Sequence, residues 1–388
     1  MSVTAAQGFR ASGVTAGIKA SGRPDVALVV NDGPDQSAAA VFTSNRFAAA
    51  PVEWSRQVLG HGQIHAVVLN SGGANACTGP EGFADTHRTA EHVAEALTAA
   101  GRETGAGEVA VCSTGLIGER LPMDRLIAGI ADAVAALRPD GGADAAVSIM
   151  TTDTVPKTAV ARGDGFTVGG MAKGAGMLAP GLATMLVVLT TDAVADSDTL
   201  GTALRAATRV TFDRIDSDGC MSTNDTVLLM ASGAAGVRPS PTALAEAVTA
   251  VCADLAHQLI HDAEGASKDI RIDVLQAATE DDAVEVARAV SRSNLLKCAI
   301  HGEDPNWGRV LSAVGTTSAS FEPHGVDVAI NGVWVCRAGG VGEDRELVDL
   351  SGREVVITID LGAGDASATL WTNDLTADYV HENSAYAT

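Results

Sequence analysis

The stretch Lys-Gly-Ala-Gly-Met-Leu-Ala-Pro-Gly-Leu-Ala-Thr-Met-Leu, residues 173–186, joins a loop of small residues to an apolar run. The run from Met185 to Leu189 has the composition of a buried strand, and Thr184 stands directly before it. If the Ala183–Thr184 bond were broken, Thr184 would carry a free amine beside its own hydroxyl, and that amine could act as base for a threonine nucleophile. The junction is therefore typical of an enzyme that activates itself by cutting its own chain.

Composition limits the partners of the protein. The 388-residue chain has a formal net charge of −22, and 46% of its residues are hydrophobic but only 3% are aromatic. Such a chain is globular, with a core of Ala, Val, Leu and Ile, and its length favours two domains or one large layered domain. The negative charge argues against nucleic acid and anionic membranes as partners, because both are bound through clustered Lys and Arg.

Cysteine usage and the N-terminus point to the cytoplasm. The six cysteines stand singly without a C-x-x-C pair, so buried, reduced thiols are the simplest interpretation. The N-terminal residues lack a basic region followed by an apolar stretch, and no run of about 18 apolar residues occurs. We therefore expect a cytoplasmic protein. The cysteines are Cys77, Cys112, Cys220, Cys252, Cys298 and Cys336.

Strand and helix signals alternate along the whole chain. Short Val/Leu-rich or alternating runs predict strands at residues 26–30, 65–69, 108–112, 185–189, 226–230 and 270–274. Apolar residues at helical spacing predict helices at 85–100, 124–137, 241–262 and 281–294, and the Asp196-Ser197 cap signal predicts another. This pattern predicts a mixed α/β fold in which helices cover β-sheets. No linker separates two halves, so the sharpest candidate boundary is the 183/184 junction.

Several catalytic signatures are absent. The sequence has no P-loop, no H-E-x-x-H helix and no G-x-S-x-G elbow. The segment Arg138-Pro-Asp-Gly-Gly-Ala143 matches a coenzyme A loop pattern, but it follows a predicted helix and contains Pro139, so we interpret the match as chance. None of the nine histidines stands beside a candidate nucleophile in sequence, although a triad formed in space stays open.

Polar turns supply the candidate site residues. The predicted strand at 108–112 leads into Ser113-Thr114-Gly115, where a hydroxyl and an N–H could stabilise an oxyanion, although such a turn more often only ends a strand. Lys173 could pair with a substrate carboxylate or be a solvated loop lysine. Glu264 could bind a substrate ammonium, although its sequence position favours a surface acid. The polar turns at 70–75 and 222–226 are most simply explained by side chains that bond local backbone.

The motifs occur together and in one order, and in this combination the sequence resembles the ornithine acetyltransferase (glutamate N-acetyltransferase) family over nearly its whole length. The motifs are Gly17-Ile-Lys-Ala-Ser-Gly22, Ala40-Val-Phe-Thr43, Asn70-Ser-Gly-Gly-Ala-Asn-Ala-Cys-Thr-Gly79, Ser113-Thr-Gly-Leu-Ile-Gly118, Met150-Thr-Thr-Asp153, Lys173-Gly-Ala-Gly-Met177, Leu182-Ala-Thr-Met-Leu186, Ser222-Thr-Asn-Asp-Thr226, Asp304-Pro-Asn-Trp-Gly-Arg309 and Glu382-Asn-Ser-Ala-Tyr386. Family members move acetyl from N-acetylornithine to glutamate in the cyclic route of arginine biosynthesis, and some also acetylate glutamate from acetyl-CoA.

The resemblance implies an N-terminal-nucleophile-like sandwich of β-sheets covered by helices. It also implies self-cleavage at Ala183–Thr184 into an α chain of residues 1–183 and a β chain of residues 184–388, assembled as two α and two β chains. No cofactor or metal is implied, and acetyl-CoA is a possible co-substrate.

The resemblance also assigns roles to individual residues. Thr184 is implied to be the nucleophile, and Thr114 and Gly115 the oxyanion hole. The implied substrate-binding residues are Thr151, Lys173, Thr184, Glu264, Asn383 and Thr388.

Two rival interpretations predict different behaviour. A self-processing amidohydrolase or aminopeptidase of the same architecture would let water, instead of glutamate, resolve the acyl-enzyme. A non-catalytic metabolite-binding protein would keep the fold without the chemistry. The joint presence of Thr184, the turn at 113–115 and Lys173 argues against the second rival.

Overall fold

The computed structural model describes residues 2–179 and 185–385, which fall into two compact units. Unit 1 contains the chain up to Asp213 together with Cys220–Leu259, and unit 2 contains Arg214–Gly219 together with the chain from Ile260. The predicted mixed α/β architecture of layered sheets is confirmed. The junction predicted to be cut falls inside the sequence span of unit 1, so the cut would not separate the two units.

Unit 1 is built on two sheets within the described part of the chain. In chain order its strands are β1 (Phe9–Val14), β2 (Val26–Asn31), β3 (Ala38–Phe42), β4 (Ala66–Ser71), β5 (Val109–Thr114), β6 (Lys157–Arg162), β7 (Thr167–Lys173), β8 (Leu186–Thr191) and β9 (Thr226–Ala231). One sheet has the order β1-β2-β4-β5 and the other β3-β9-β8-β7-β6. Strands β2, β4, β5, β7, β8 and β9 are buried along their whole length, as strands covered on both faces must be.

Helices cover these sheets. The helices of the unit 1 sequence are α1 (Ala50–Val58), α2 (Gly79–Ala99), α3 (Met123–Ala135), α4 (Gly142–Ser148), α5 (Ser197–Val210) and α6 (Pro241–His261). One hydrophobic core includes Leu69 and Val111 of the first sheet and Val188 and Leu228 of the second, so the two sheets share a core. Asp196 caps α5 by accepting the Thr199 N–H at 2.8 Å, which confirms the predicted cap.

Helix α6 is long and apolar enough to cross a membrane by length and composition alone. Its predicted apolar stripe is buried: Leu244, Val248, Val251, Leu255 and Leu259. The stripe packs on β7, where a Cβ added at Gly170 would lie 2.9 Å from Val251 and 3.0 Å from Leu255. Packing of a core helix therefore accounts for the hydropathy of α6.

Unit 2 is built on one sheet in the described residues, with the order β13-β12-β11-β14-β10-β15. Its strands are β10 (Asp269–Ala277), β11 (Asp327–Ile330), β12 (Val333–Arg337), β13 (Gly340–Val341), β14 (Glu354–Asp360) and β15 (Ala366–Asn373). Its helices are α7 (Glu280–Ser291), α8 (Asn294–His301), α9 (Trp307–Val314) and α10 (Ala377–Ala385). Strand β10 pairs in parallel with β14 and antiparallel with β15.

Two expectations from the sequence need correction. The helix predicted at residues 281–294 ends at Ser291, because the Ser293 hydroxyl caps a new helix through the Leu296 N–H. The six cysteines form no disulfide bond, but the prediction that all are buried is wrong for Cys77, Cys220 and Cys298, which are exposed. Cys298 lies on the solvent side of α8, a position that a single cysteine in an amphipathic helix does not reveal.

Candidate active site

Strands β7 and β9 flank the described residues that follow the predicted cleavage point. Lys173 at the end of β7 pairs with Leu186 at the start of β8, and Leu186 pairs with Thr226 at the start of β9. Met185 precedes Leu186, and its N–H donates to Asp225 Oδ1 at 2.9 Å while its carbonyl accepts the Thr226 N–H at 3.1 Å. The start of the predicted β chain is therefore fixed between two neighbouring strands.

The turn that follows β5 presents the predicted hydroxyl. Lys173 Nζ donates a hydrogen bond to Thr114 Oγ1 at 2.9 Å, and both side chains are buried. Because the oxygen accepts from the ammonium, the hydroxyl hydrogen of Thr114 remains available to an oxyanion beside it. Lys173 is therefore not the solvated loop lysine that the sequence left open.

Gly115 presents the second predicted donor. The Thr114 carbonyl accepts the N–H groups of Gly72 and Gly73 at 2.9 and 3.0 Å. In a trans peptide the following N–H points the opposite way, so the Gly115 N–H is turned away from both glycines, and it bonds to none of the described residues. Gly115 has a φ of +131°, and a Cβ there would lie 2.5 Å from the Gly73 nitrogen. Only glycine fits this position.

We expect Gly115→Ala to lower the free energy of unfolding by about 2–4 kcal/mol, because a strained φ and a backbone clash act together. Gly118→Ala is the matched control, since Gly118 also has a positive φ, +88°, but no atom within 4 Å of an added Cβ. The control should lose only about 1 kcal/mol. Urea unfolding measures both variants, and equal losses would show that the contact with Gly73 is not what requires glycine at 115.

Two distant polar segments hold this turn in place. Ser113 Oγ donates to Asn70 Oδ1 at 2.6 Å, and Asn224 Nδ2 donates to the Ser113 carbonyl at 2.8 Å and the Ala74 carbonyl at 2.6 Å. The expectation that the turns at 70–75 and 222–226 bond only local backbone is therefore wrong. β5 and β9 belong to different sheets, and these sheets share one hydrophobic core, so these contacts join the two sheets rather than neighbouring strands.

A buried ion pair supports Lys173. Asp153 accepts hydrogen bonds from Lys157 Nζ at 2.6 Å, the Gly174 N–H at 2.7 Å and the Thr151 N–H at 2.9 Å. Burial alone would raise the pKa of Asp153, but Lys157, Lys173 and the Gly174 N–H outweigh burial and lower it. The carboxylate therefore ties the loop that carries Thr151, a predicted substrate residue, to the end of β7.

We expect Asp153→Asn to destabilise the protein by about 3–5 kcal/mol at neutral pH, because the buried Lys157 ammonium loses its carboxylate. The pKa of Asp153 is lower in the folded protein than in the unfolded protein, so its carboxylate form stabilises the fold. This stabilisation is complete above the unfolded-state pKa of about 3.9, and it is lost as the pH falls through the folded-state pKa. The difference in unfolding free energy between wild type and variant should therefore stay constant above about pH 5 and shrink as the pH falls below about 4. Urea unfolding at each pH tests this, and a difference that stays constant below about pH 4 would contradict it.

Cys112 and His65 do not have the properties of a nucleophile or of its base. Burial raises the pKa of the Cys112 thiol to about 12, so the reactive thiolate does not form near neutral pH. His65 is buried with Nδ1 2.7 Å from the Thr104 hydroxyl, and burial lowers its pKa, as for a structural residue. Among the described residues the Thr114 hydroxyl has Lys173, not a histidine, as its partner.

The remaining predicted residues lie elsewhere. In unit 2, Asn383 of α10 donates through Nδ2 to Glu264 Oε2 at 2.9 Å, so the structure brings these two predicted substrate residues together. Glu264 is half-buried, more than the surface position that its sequence context favoured. Ala183, Thr184 and Thr388 lie outside the described residues, and their roles stay predictions.

No group of three or more His, Cys, Asp or Glu side chains that could hold a metal ion occurs within residues 2–179 and 185–385. The expectation that the reaction needs no cofactor stays a prediction.

The layered α/β sheets, with a hydroxyl and an N–H side by side at residues 114 and 115, have the donors that an acyl-transfer enzyme needs to stabilise an oxyanion. The chain belongs to the ArgJ family, whose profile matches residues 10–388. It is 70% identical over 387 residues to the arginine biosynthesis bifunctional protein ArgJ of Streptomyces coelicolor, and 64% identical over 388 residues to that of Thermobifida fusca, and both comparisons cover 100% of each chain.

A solved structure is also similar, that of an ornithine acetyltransferase complexed with ornithine from Mycobacterium tuberculosis. The two sequences are 61% identical in the aligned region, which covers 48% of this chain and 96% of the solved chain, and the TM-score is 0.45. The predicted family, and with it an enzyme of arginine biosynthesis, is confirmed by the profile and the full-length relatives. The hydrolase alternative is not favoured.

Proposed function

We propose that this protein moves the acetyl group of N-acetylornithine to glutamate through an acetyl ester of Thr184, after cutting its own chain at Ala183–Thr184. The observation that carries the proposal is the hydrogen bond from Lys173 to Thr114, which leaves the Thr114 hydroxyl hydrogen and the Gly115 N–H as a pair of donors. Lys173 also pairs with the start of β8, so this donor pair lies close to the strand that Thr184 precedes.

The cut proceeds by an acyl shift. The Thr184 hydroxyl oxygen attacks the Ala183 carbonyl carbon, the C–N bond breaks, and the hydroxyl proton goes to the released nitrogen. Water then hydrolyses the ester to an Ala183 carboxylate and a free Thr184 hydroxyl. The antiparallel pairing of β7 with β8 supports lasting association of the two pieces, because it joins residues on both sides of the cut. Assembly into two α and two β chains stays a prediction.

Acetyl transfer reuses the same hydroxyl. An α-amine has a reference pKa of about 7.7–8.0, so a useful neutral fraction exists near neutral pH and takes the hydroxyl proton during attack on the acetyl carbonyl. The Thr114 hydroxyl and the Gly115 N–H stabilise the oxyanion, and ornithine leaves with the transferred proton. The glutamate amine then attacks the ester and regenerates Thr184, which gives ping-pong kinetics.

Substrate recognition follows the predicted residues. The residues that we propose to bind substrate are Thr151, Lys173, Thr184, Glu264, Asn383 and Thr388. The Glu264 carboxylate suits the side-chain ammonium of ornithine, and its hydrogen bond with Asn383 fixes its orientation. Both substrates carry an α-carboxylate, so one cation serves both half-reactions.

Acetyl-CoA is the second donor that we propose, and the bifunctional name of the relatives supports a second activity. The loop at residues 138–143 is not offered as its site. A Cβ at Gly141 would lie 1.9 Å from the Ala11 carbonyl, so the β1 backbone already fills the space beside this glycine.

A donor comparison tests the proposed function. With glutamate as acceptor, we expect acetylglutamate from N-acetylornithine and also, as a separate result, from acetyl-CoA. Without glutamate, N-acetylornithine should give one acetyl equivalent on the enzyme and little free acetate, because water is a poor acceptor of the ester. Chromatographic assay of acetylglutamate and acetate measures this, and acetate as the only product would support the hydrolase instead.

A further inference from the structure

Lys19 is a half-buried cation on the loop that joins β1 to β2, and no step of the proposed function uses it. The loop folds around the buried Asp25, whose carboxylate accepts the N–H groups of Ile18 at 2.6 Å and Lys19 at 3.0 Å. Lys19 Nζ donates to the Pro24 carbonyl at 2.8 Å. These hydrogen bonds hold the ammonium in a defined position, as a binding group requires.

The stem of Lys19 lies beside the turn that carries the proposed oxyanion donors. A Cβ added at Gly72 would lie 3.3 Å from Lys19 Cγ, so the lysine packs on this glycine. The Gly72 N–H donates to the Thr114 carbonyl at 2.9 Å, and Ser71, which precedes Gly72, pairs with Thr114 across β4 and β5. Gly72 therefore joins the stem of Lys19 to the residue proposed for the oxyanion hole.

Two ammonium groups meet at this turn. Burial lowers the pKa of Lys19 to about 8, Asp25 offsets part of this effect, and Lys173 lowers the pKa further. Asp153 attracts both Lys19 and Lys173, but it already accepts from Lys157 Nζ at 2.6 Å. In a chain whose formal net charge is −22, such a pair of neighbouring cations suits an anionic ligand, because an anion bound to both would offset their repulsion.

We propose that Lys19 is the residue that selects glutamate as the acceptor, by binding the carboxylate of its side chain while Lys173 binds its α-carboxylate. This inference deepens the proposed function and rests on it. N-Acetylornithine carries one carboxylate and glutamate carries two, so the second cation is needed only in the half-reaction in which glutamate attacks the acetyl ester. A lysine ammonium has three donors, so Lys19 can keep the Pro24 carbonyl and still bind a carboxylate oxygen.

Lys19→Met tests the proposal, because methionine keeps an unbranched stem and removes the charge. Selectivity is measured as the ratio of kcat/KM for glutamate to kcat/KM for glutamine, which has an amide in place of the side-chain carboxylate. Exchange of labelled ornithine into N-acetylornithine, without an acceptor, measures the first half-reaction alone. Arg23→Met is the matched control, since Arg23 is an exposed cation of the same loop.

For Lys19→Met we expect kcat/KM for glutamate to fall by about 10–100-fold, because a hydrogen bond between two charged groups is lost. Transfer to glutamine and the ornithine exchange should stay within about threefold of wild type, because neither uses the second carboxylate. The preference for glutamate should therefore fall with the glutamate rate. Lys19→Arg should keep part of this preference, and Arg23→Met should keep all of it.

Three results would overturn the proposal for Lys19: an unchanged preference in Lys19→Met, an equal loss of preference in Arg23→Met, or a loss of ornithine exchange as large as the loss of glutamate transfer. A change confined to the KM of acetyl-CoA would also overturn it, because the cation would then bind the donor. Absence of both ornithine exchange and acetylglutamate in the wild type would instead overturn the proposed function.

A labelling measurement on the wild type does not depend on the folding of any variant. With a pKa of about 8, a large fraction of the Lys19 amine is neutral at pH 8 and reacts with acetic anhydride. Glutarate has both carboxylates of glutamate without its amine, and glutaramate has an amide in place of one of them. We expect saturating glutarate to slow acetylation of Lys19, followed by peptide mass analysis, at least about threefold more than glutaramate does. Equal rates with the two compounds would overturn the proposal.

Discussion

Thr184→Ala is expected to leave the chain uncut and to lower acetyl transfer by at least about 10⁴-fold, because in the proposed mechanism this residue supplies the nucleophile for both reactions and, after cleavage, the base. Denaturing electrophoresis shows the cut, and an acetylglutamate assay shows the transfer. Both losses should appear together, since the amine exists only after the cut.

Thr184→Ser is the matched control for this prediction. Serine keeps the hydroxyl and, once cut, the amine, so the chain should still be processed and should keep measurable transfer. Processing and full activity of the alanine variant would show that another residue is the nucleophile. Loss of activity in both variants with normal processing would point to the methyl group of Thr184 instead.

Thr114→Val is expected to lower kcat by about 10²–10³-fold while leaving KM within a few-fold, because in the proposed mechanism the lost donor acts on the oxyanion and not on the bound substrate. Valine matches the shape of threonine, so the fold should survive, although Lys173 Nζ loses the acceptor that it has at 2.9 Å. Steady-state kinetics on N-acetylornithine and glutamate measure the two constants separately.

Thr114→Ser keeps the hydroxyl and serves as the control, with a loss of less than about tenfold expected. If the valine variant turned over as fast as the serine variant, the Thr114 hydroxyl would not belong to the oxyanion hole. A change confined to KM would assign Thr114 to substrate binding.

Much of the secondary structure follows from local pattern. The strands predicted at residues 26–30 and 226–230 and the helix at 241–262 match β2, β9 and α6 to within one residue at either end, because buried strands and amphipathic helices leave a periodicity that sequence shows directly. The break between α7 and α8 was missed, since one capping serine competes with an otherwise continuous apolar stripe. The length leaves two domains open, but the boundaries of the two units are not predictable, because Arg214–Gly219 belong to unit 2 without any linker signal.

The residues of the candidate site are likewise predictable only in part. Thr114, Gly115 and Lys173 stand in motifs whose order identified them, and the structure shows the hydrogen bond that joins Thr114 to Lys173. For the turn at 222–226 the sequence predicts only local bonds, because the contact of Asn224 with Ser113 crosses 111 residues of sequence and depends on the packing of two different sheets. The available signal was a run of polar residues directly before the fully buried strand β9.

The most direct test of the central claim is mass analysis of purified wild-type protein, quenched after mixing with N-acetylornithine in the absence of glutamate. We predict two chains, of which the second begins Thr184-Met185-Leu186 and carries one acetyl group on Thr184. A single uncut chain with full transfer activity, or an acetyl group on any other residue, would contradict the account.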